Sequence, residues 1–260
     1  MPRFFELLKS SRKKQSNQSA PSSSVTFTEG PIAEGGAESE TPAKMPLKKK
    51  LTVTDRDLSR CRDIKSMGGT HNVKRYCLPD QVYLISKDIP IWEPHSEETV
   101  QNEIFAYKFS KKLNLGLVPE TTTAQGNNRK IISRYIRSRP AGIDKFSRPN
   151  DKMFLFDYLL NTGDRNNHNN HNVIEGADGN NYAIDNESIL GLAVGGNFVT
   201  EKDIKQEHID LFFKDDQTKI KFMLTDWEAF FNKHAPNRAS ESKIEFLNRI
   251  EFVKQQINNN

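Results

Sequence analysis

The sequence lacks the features of a disulfide-stabilised or a membrane-spanning protein. Its 260 residues include two cysteines, Cys61 and Cys77, which are too few for a disulfide framework and favour a reducing compartment. Its apolar runs fall short of the roughly 20 residues that a membrane-spanning helix requires. Lysine and arginine, instead of a long apolar segment and a cleavage site, follow the first residues, so no secretory signal is predicted. We therefore expect a cytoplasmic protein, or one delivered into a host cell as an effector.

The chain also has no concentration of charge of one sign. Its formal net charge is +4 and its basic residues are scattered, so we expect no nucleic-acid partner. Hydrophobic residues make up 35% and charged residues 28%, and the mean hydropathy of -0.72 indicates a soluble protein with long polar segments. The length suits one domain of two lobes.

The first 50 residues predict a disordered tail. A short apolar cluster between Phe4 and Leu8 precedes a stretch rich in Ser, Pro, Gly and Glu, and such a composition does not repay the entropy of ordering. The first dozen residues form either a plain solvated tail, which we favour, or an amphipathic helix with weak contact to a membrane surface or a partner.

Residues 51–138 predict a small β-rich lobe. Gly68 and Gly69 lie between two predicted strands, where they either let backbone amides approach a phosphate or form an ordinary hairpin turn. Lys87 ends the next predicted strand, and Glu103 lies in the first turn of a helix predicted over residues 100–114 from its apolar spacing. A lysine on a strand and a glutamate on the following helix can form an ion pair.

The strand predicted over residues 130–136 leads from this lobe to the rest of the chain. Its end, at Arg134, Tyr135 and Ile136, offers an apolar slot and backbone hydrogen-bonding groups, which are what an adenine ring needs. An inner strand without a ligand is the alternative.

The most informative stretch lies in the second predicted lobe, residues 139–260. Residues 153–160 are apolar except for Asp157 and predict a short buried helix, and Asp164 and Arg165 then open a loop of Asn and His. Two short strands around a turn follow and end at Asp185. Because the chain doubles back, Asp185 is expected close to Asp164. The rest of this lobe predicts helices after an N-cap at Thr200, over residues 220–231 and 244–257.

Two other interpretations of the loop compete with a catalytic one. Runs of Asn are often solvated segments of low complexity. A zinc site at His168 and His171 is disfavoured, because no further His or Cys lies near them and Asn is a poor zinc ligand.

The order of the buried helix, the Asp-Arg loop, the two short strands and the second Asp suits phosphoryl transfer. In that reaction one carboxylate deprotonates a hydroxyl while an amide and a second carboxylate hold magnesium. The same order of parts resembles that of the atypical kinases related to phosphatidylinositol 3- and 4-kinases, actin-fragmin kinase and the four-jointed group. The resemblance rests on Asp164-Arg165, on the hydrophobic-Asp motif of residues 184–187, and on residues 115–123, whose Leu-Gly-Leu-Val-Pro-Glu-Thr matches a phrase of the family. It implies an α+β, two-lobed protein-kinase-like fold that uses ATP and Mg²⁺ or Mn²⁺.

The resemblance also implies a role for each matched residue. Lys87 would bind the α- and β-phosphates, Glu103 would position Lys87, and Asp164 would act as the catalytic base. Asp185 and an Asn of the loop would bind the metal. The family's spacing points to Asn169, whereas the apolar residues after Asn172 match the family's context; we favour Asn172.

The acceptor of the phosphoryl group stays open. A protein hydroxyl is favoured over a lipid headgroup, because no basic cluster flanks the predicted site. A pseudokinase that only binds nucleotide, and another nucleotide-dependent transferase on the same scaffold, are the alternatives.

Overall fold

A computed structural model describes residues 51–61, 64–67, 71–78, 82–137, 151–163, 165, 172–191 and 198–259. The predicted tail, the glycine turn at Gly68 and Gly69, and the loop residues Asp164, His168, Asn169 and His171 lie outside these ranges. The boundaries of the tail and of the two lobes stay predictions.

The first part of the described chain is a five-stranded antiparallel sheet with one long helix. After the short helix α1 (Asp55–Ser59), the strands are β1 (Ile64–Ser66), β2 (Asn72–Cys77), β3 (Tyr83–Asp88), β4 (Thr121–Ala124) and β5 (Asn127–Arg134), and helix α2 (Ser96–Lys112) connects β3 to β4. The strand order is β1-β2-β3-β5-β4. β3 is therefore the central strand, and it pairs Lys87 with Val73 on one side and with Ile131 on the other.

The second part is mostly helical. It contains α3 (Asp151–Leu160), α4 (Gln206–Phe212), α5 (Asp216–Leu224), α6 (Trp227–His234) and α7 (Ser240–Asn258), with a hairpin of β6 (Val173–Glu175) and β7 (Asn181–Ala183) between α3 and α4. The predicted α+β class, with a β-rich and a mostly helical lobe, is confirmed. No helix in the described ranges is long and apolar enough to cross a membrane.

Apolar faces on α2 and on the C-terminal helices share one core. Phe105 and Phe109 of α2 lie edge-on to Phe246 of α7, with ring centroids 5.5 and 6.2 Å apart. Phe109 also contacts Phe156 of α3 at 5.9 Å. Aromatic pairs of this geometry contribute beyond their buried area. These contacts fix α2 to the helical lobe. Helix α2 also contacts strands β4 and β5 of the sheet.

Several predicted boundaries differ from the structure. α2 begins at Ser96, four residues before its predicted start; the sequence pattern missed this start because Ser96 and Thr99 are polar although they are buried. The Ser96 hydroxyl accepts a 2.7 Å hydrogen bond from Arg129. The helix predicted over residues 220–231 is two helices, since the Asp226 carboxylate caps α6 by accepting the Ala229 amide at 2.9 Å. Thr200 caps only a 3₁₀ turn, Glu201–Asp203.

Candidate functional site

Lys87 and Glu103 meet in the interior, although they lie on different elements. Lys87 is on the central strand β3 and Glu103 is on α2, and both side chains are almost fully buried. The Lys87 Nζ lies 3.3 Å from the Glu103 Oε1. The structure thus brings together the two residues that the sequence suggested as an ion pair.

Two further carboxylates contact the same ammonium group. Asp185 and Glu187, which follow β7, both accept hydrogen bonds from the Lys87 Nζ. Burial alone would lower the pKa of Lys87, but the negative charges of Glu103, Asp185 and Glu187 raise it above its ordinary value. Lys87 is therefore fully protonated near neutral pH and is held among three acidic groups.

The two neighbouring carboxylates have pKa values that move in opposite directions. Burial raises the pKa of Glu187, and its hydrogen bond to Asp185 raises it further, against the opposing charge of Lys87. Burial would also raise the pKa of Asp185, but the hydrogen bond from Glu187 and the charge of Lys87 lower it. Like charges this close favour one shared proton. The pair then carries one negative charge and Glu103 adds a second, so the three acids exceed the single positive charge of Lys87.

The backbone at Asp185 is in an unusual conformation. Its φ of 55° lies in the left-handed region, which Asp and Asn tolerate better than other residues with a side chain. Its carboxylate is also the most exposed of the three, at 44%. A left-handed residue beside an open cavity is typical of a functional position.

The segment after Asp185 is fixed by two buried polar side chains. The Asn102 amide, next to Glu103 on α2, donates to the carbonyls of Glu187 and Ile189, the latter at 3.2 Å. Arg238 donates to the Ile189 carbonyl at 2.8 Å. Both lobes therefore hold the short segment that carries the acidic pair.

Arg165 is the one residue of the predicted Asp-Arg loop opening that the structure describes, and it is completely buried. Its Nε and Nη2 both lie 2.8 Å from the Asp157 Oδ1 on α3. Its Nη1 donates to the Asn186 Oδ1 at 3.0 Å and to the Ile184 carbonyl at 3.2 Å. Arg165 thus joins the end of α3 to the residues on both sides of Asp185.

His71 extends the acidic cluster towards the loop before α2. Its Nε2 lies 2.9 Å from the Glu187 Oε2, and its Nδ1 lies 3.3 Å from the Glu93 Oε2. The position of Glu187 is therefore set from two sides, by His71 and by Lys87.

These groups line a cavity of about 420 Å³ between the sheet and the β6–β7 hairpin. The rest of its wall is largely apolar and includes Ile85, Val118, Ile131 and Ile174. A mostly apolar cavity with a few converging polar groups is the usual form of a small-molecule site. Its size suits a nucleotide.

The predicted adenine-binding residues Arg134, Tyr135 and Ile136 all line this cavity, but only one of their amides is available. The Arg134 amide donates to the Glu120 carbonyl at 2.9 Å, and the Tyr135 amide donates to the Tyr83 carbonyl at 3.0 Å. Among the described residues, no acceptor is recorded for the Ile136 amide. A base would therefore be recognised by Ile136 rather than by the whole segment, because the first two amides complete the sheet.

The acidic groups fit a hard divalent cation. One carboxylate oxygen from each of Glu103, Asp185 and Glu187 lies within 4.8 Å of the others, and Asn172 lines the same cavity. Oxygen donors of this kind are the ligands that Mg²⁺ and Mn²⁺ prefer.

Sequence reasoning assigned no role to Glu187, His71 or Arg165. A signal for Arg165 was present, since a lone Asp157 in an apolar helix needs a buried partner. No local signal marks His71, whose partner Glu187 is 116 residues away.

No protein family and no curated protein matches the sequence. Solved structures with similar folds include the proinflammatory kinase CtkA of Helicobacter pylori, at 14% identity and a TM-score of 0.44 over 79% of this chain and 95% of that one. They also include a Golgi casein kinase with Mn/ADP bound, at 10% identity and a TM-score of 0.36 over 76% and 72%, and a pseudokinase, at 10% identity and a TM-score of 0.35 over 81% and 90%.

Proposed function

We propose that the protein is a kinase that uses ATP with Mg²⁺ or Mn²⁺ and transfers the γ-phosphoryl group to a hydroxyl group of a protein. The observation that carries the proposal is the meeting of Lys87, Glu103 and Asp185 in the lining of a cavity that also offers an apolar wall and the Ile136 amide, for which the described residues provide no acceptor. A cation for phosphates, acids for a metal and a slot for a base are the parts that phosphoryl transfer from ATP requires.

The proposed role of each residue follows from its charge and position. The Lys87 ammonium would bind phosphate oxygens, and Glu103 would hold it in place from α2. Asp185 and Glu187, with Asn172 or Asn169, would hold the metal, which would neutralise charge on the phosphates. Asp164, which directly precedes the buried Arg165 in the sequence, would accept the proton of the attacking hydroxyl.

The proposed transfer forms one bond, breaks one bond and moves one proton. The hydroxyl oxygen of the acceptor forms a bond to the γ-phosphorus, the bond between that phosphorus and the bridging oxygen of ADP breaks, and the hydroxyl proton passes to Asp164. Most of the rate would come from positioning and from charge stabilisation in a site that excludes water.

The charges around the cavity favour a protein acceptor over a phosphorylated lipid headgroup. Lys87 and Arg134 are the lysine and arginine side chains among its described lining residues, and Arg134 is paired with Glu120 at 2.7 Å. An inositol phosphate requires several cations that are not already engaged by acids.

The test is incubation of the purified full chain with labelled ATP and Mg²⁺ or Mn²⁺, alone and with lysate proteins, beside the variant Asp164→Asn. We expect label on protein with the wild type. The variant should bind ATP within a few-fold of wild type but turn over about 10²–10⁴-fold more slowly, because a catalytic base contributes that much.

Asp210→Asn, which makes the same change on the exposed surface of α4, serves as the matched control and should keep full activity. Nucleotide binding without turnover by the wild type would show a binding module instead of a kinase. Equal turnover in the Asp164→Asn variant and the wild type would remove Asp164 from the mechanism.

A further inference from the structure

A second cavity, of about 510 Å³, lies between α2 and α6. Residues near the C-terminal end of each helix line it: Lys108, Lys111 and Lys112 from α2, and Lys233 and His234 from α6. On α2, these lysines follow Glu103 by five to nine residues. The cavity is not part of the nucleotide site, because the two share no lining residue.

The cavity is strongly positive. Four lysines and one acid, Asp226, line it, which leaves three positive charges. The Asp226 carboxylate already caps α6. Burial lowers the pKa of His234, and the positive charges of Lys108 and Lys233 lower it further, so His234 adds no charge near neutral pH.

Exposed apolar side chains border this positive surface. Leu224, at the end of α5, directly precedes the lining residue Thr225 and is 81% exposed. Ile220, one turn earlier on the same side of α5, is 48% exposed. Phe222 and Thr218 are buried in the core, so α5 carries apolar residues on its outer face as well as its inner one. Lys219 and Lys221 flank Ile220 in the sequence and are exposed.

Lysines at the C-terminal ends of helices have a simple structural explanation, because they offset the helix dipole. That explanation accounts for each helix alone. It does not account for the meeting of lysines from two helices at one cavity or for the exposed Leu224 and Ile220. Apolar residues next to a cluster of lysines are the combination by which proteins lie on anionic membranes, where the lysines meet lipid headgroups and the apolar side chains enter the boundary.

We propose that this face, formed by Lys108, Lys111, Lys112, Lys233, Ile220 and Leu224, docks on an anionic lipid surface. A lipid surface fits better than an acidic peptide because Leu224 and Ile220 are exposed and Leu224 does not line the cavity, and a membrane boundary accepts apolar side chains next to lysines. A lysine near an anionic surface contributes about fivefold in affinity. The proposal is independent of the proposed kinase activity, since it uses no residue of the nucleotide site.

The test is sedimentation of the full chain with vesicles of phosphatidylcholine, with and without phosphatidylserine. We expect binding only to the vesicles that contain phosphatidylserine, and weaker binding as salt is raised. Lys112→Gln/Lys233→Gln should weaken it about 25-fold, and Leu224→Ser should weaken it about tenfold. All three side chains are exposed, so these variants should unfold within a few degrees of the wild type.

The matched control is Lys65→Gln/Lys202→Gln, which removes two exposed lysines elsewhere and should bind as the wild type does. Equal loss in both double variants would overturn the proposal, because net charge alone would then explain the binding. Equal binding to vesicles without phosphatidylserine would also overturn it. Binding of soluble polyglutamate that depends on Lys112 and Lys233, without vesicle binding, would assign the cavity to an acidic polypeptide instead.

Discussion

Removal of the charge of Asp157 should destabilise the protein severely. Asp157 and Arg165 are both 0% exposed, and two guanidinium nitrogens lie 2.8 Å from one carboxylate oxygen. Asp157→Asn keeps the shape of the side chain but leaves the Arg165 charge buried without its counter-charge. Breaking a buried pair in this way costs about 3–5 kcal/mol. One kcal/mol shifts the Tm of a domain of this size by about 2–4 °C, so we expect a fall of roughly 6–20 °C.

An exposed pair of nearly the same length provides the matched control. Lys243 and Glu228 lie 2.7 Å apart, and the Glu228 side chain is 61% exposed. Glu228→Gln should change the free energy of unfolding by less than about 1 kcal/mol, because water and salt screen such pairs. The two substitutions remove the same charge, so their difference measures the effect of burial.

A double variant separates stability from function at this pair. Asp157→Leu/Arg165→Met removes both charges together and should recover most of the stability that either single change loses. It should still bind magnesium and ATP more weakly than the wild type, because Arg165 also holds Asn186 and the Ile184 carbonyl on both sides of Asp185.

Thermal and urea unfolding, with and without magnesium and ATP, measure both effects. If Asp157→Asn unfolds within about 1 kcal/mol of the wild type, as an exposed pair would, the Asp157–Arg165 pair is not shielded from water and the reasoning is refuted. If the double variant binds nucleotide as tightly as the wild type, Arg165 does not position the segment around Asp185.

Two further variants test the cavity. A Cβ at Gly176 would lie 2.5 Å from the Asp178 Oδ1 and 2.8 Å from the Tyr182 Cε2, so Gly176→Ala should cost about 1–3 kcal/mol of stability, as measured by urea unfolding. The Ile136 Cγ2 would be at an ordinary contact distance of 3.4 Å, so ATP affinity, measured by calorimetry, should stay within a few-fold of the wild type. Asn172→Ala should lower magnesium-dependent activity about tenfold or more while Asn169→Ala is tolerated, because extra residues in a surface loop cost little; the reverse order in a turnover assay would assign the metal to Asn169.

The elements with a regular pattern were predictable from the sequence. The four-residue spacing of Phe105, Phe109 and Leu113 reflects one buried face of α2, and all three side chains are 0% exposed. The two short strands around the turn before Asp185 were predicted in the same way, and they pair as β6 and β7. Local patterns identify such elements because burial imposes the period of the helix or strand on the sequence.

The arrangement of the site was less predictable because its contacts are distant in the sequence. Lys87 and Glu187 are 100 residues apart, and His71 and Glu187 are 116 apart. Nothing in the local pattern around Glu187 distinguishes it from a surface acid. That the Ile136 amide has no acceptor among the described residues was likewise unpredictable, since it depends on where β5 ends and on which neighbouring amides the carbonyls of Tyr83 and Glu120 already accept.

The acidic cluster has features that would not be expected if the site contributed only to stability. Three carboxylates surround one ammonium group, two of them are close enough to compete for one proton, and Asp185 has a left-handed backbone. Each feature costs free energy in the protein by itself, and an apolar filling of the same space would avoid all three costs. Departures from local consistency concentrate at functional sites. The surplus negative charge beside Lys87 would be offset by a ligand that brings a cation, and the magnesium nucleotide of the proposed function is such a ligand.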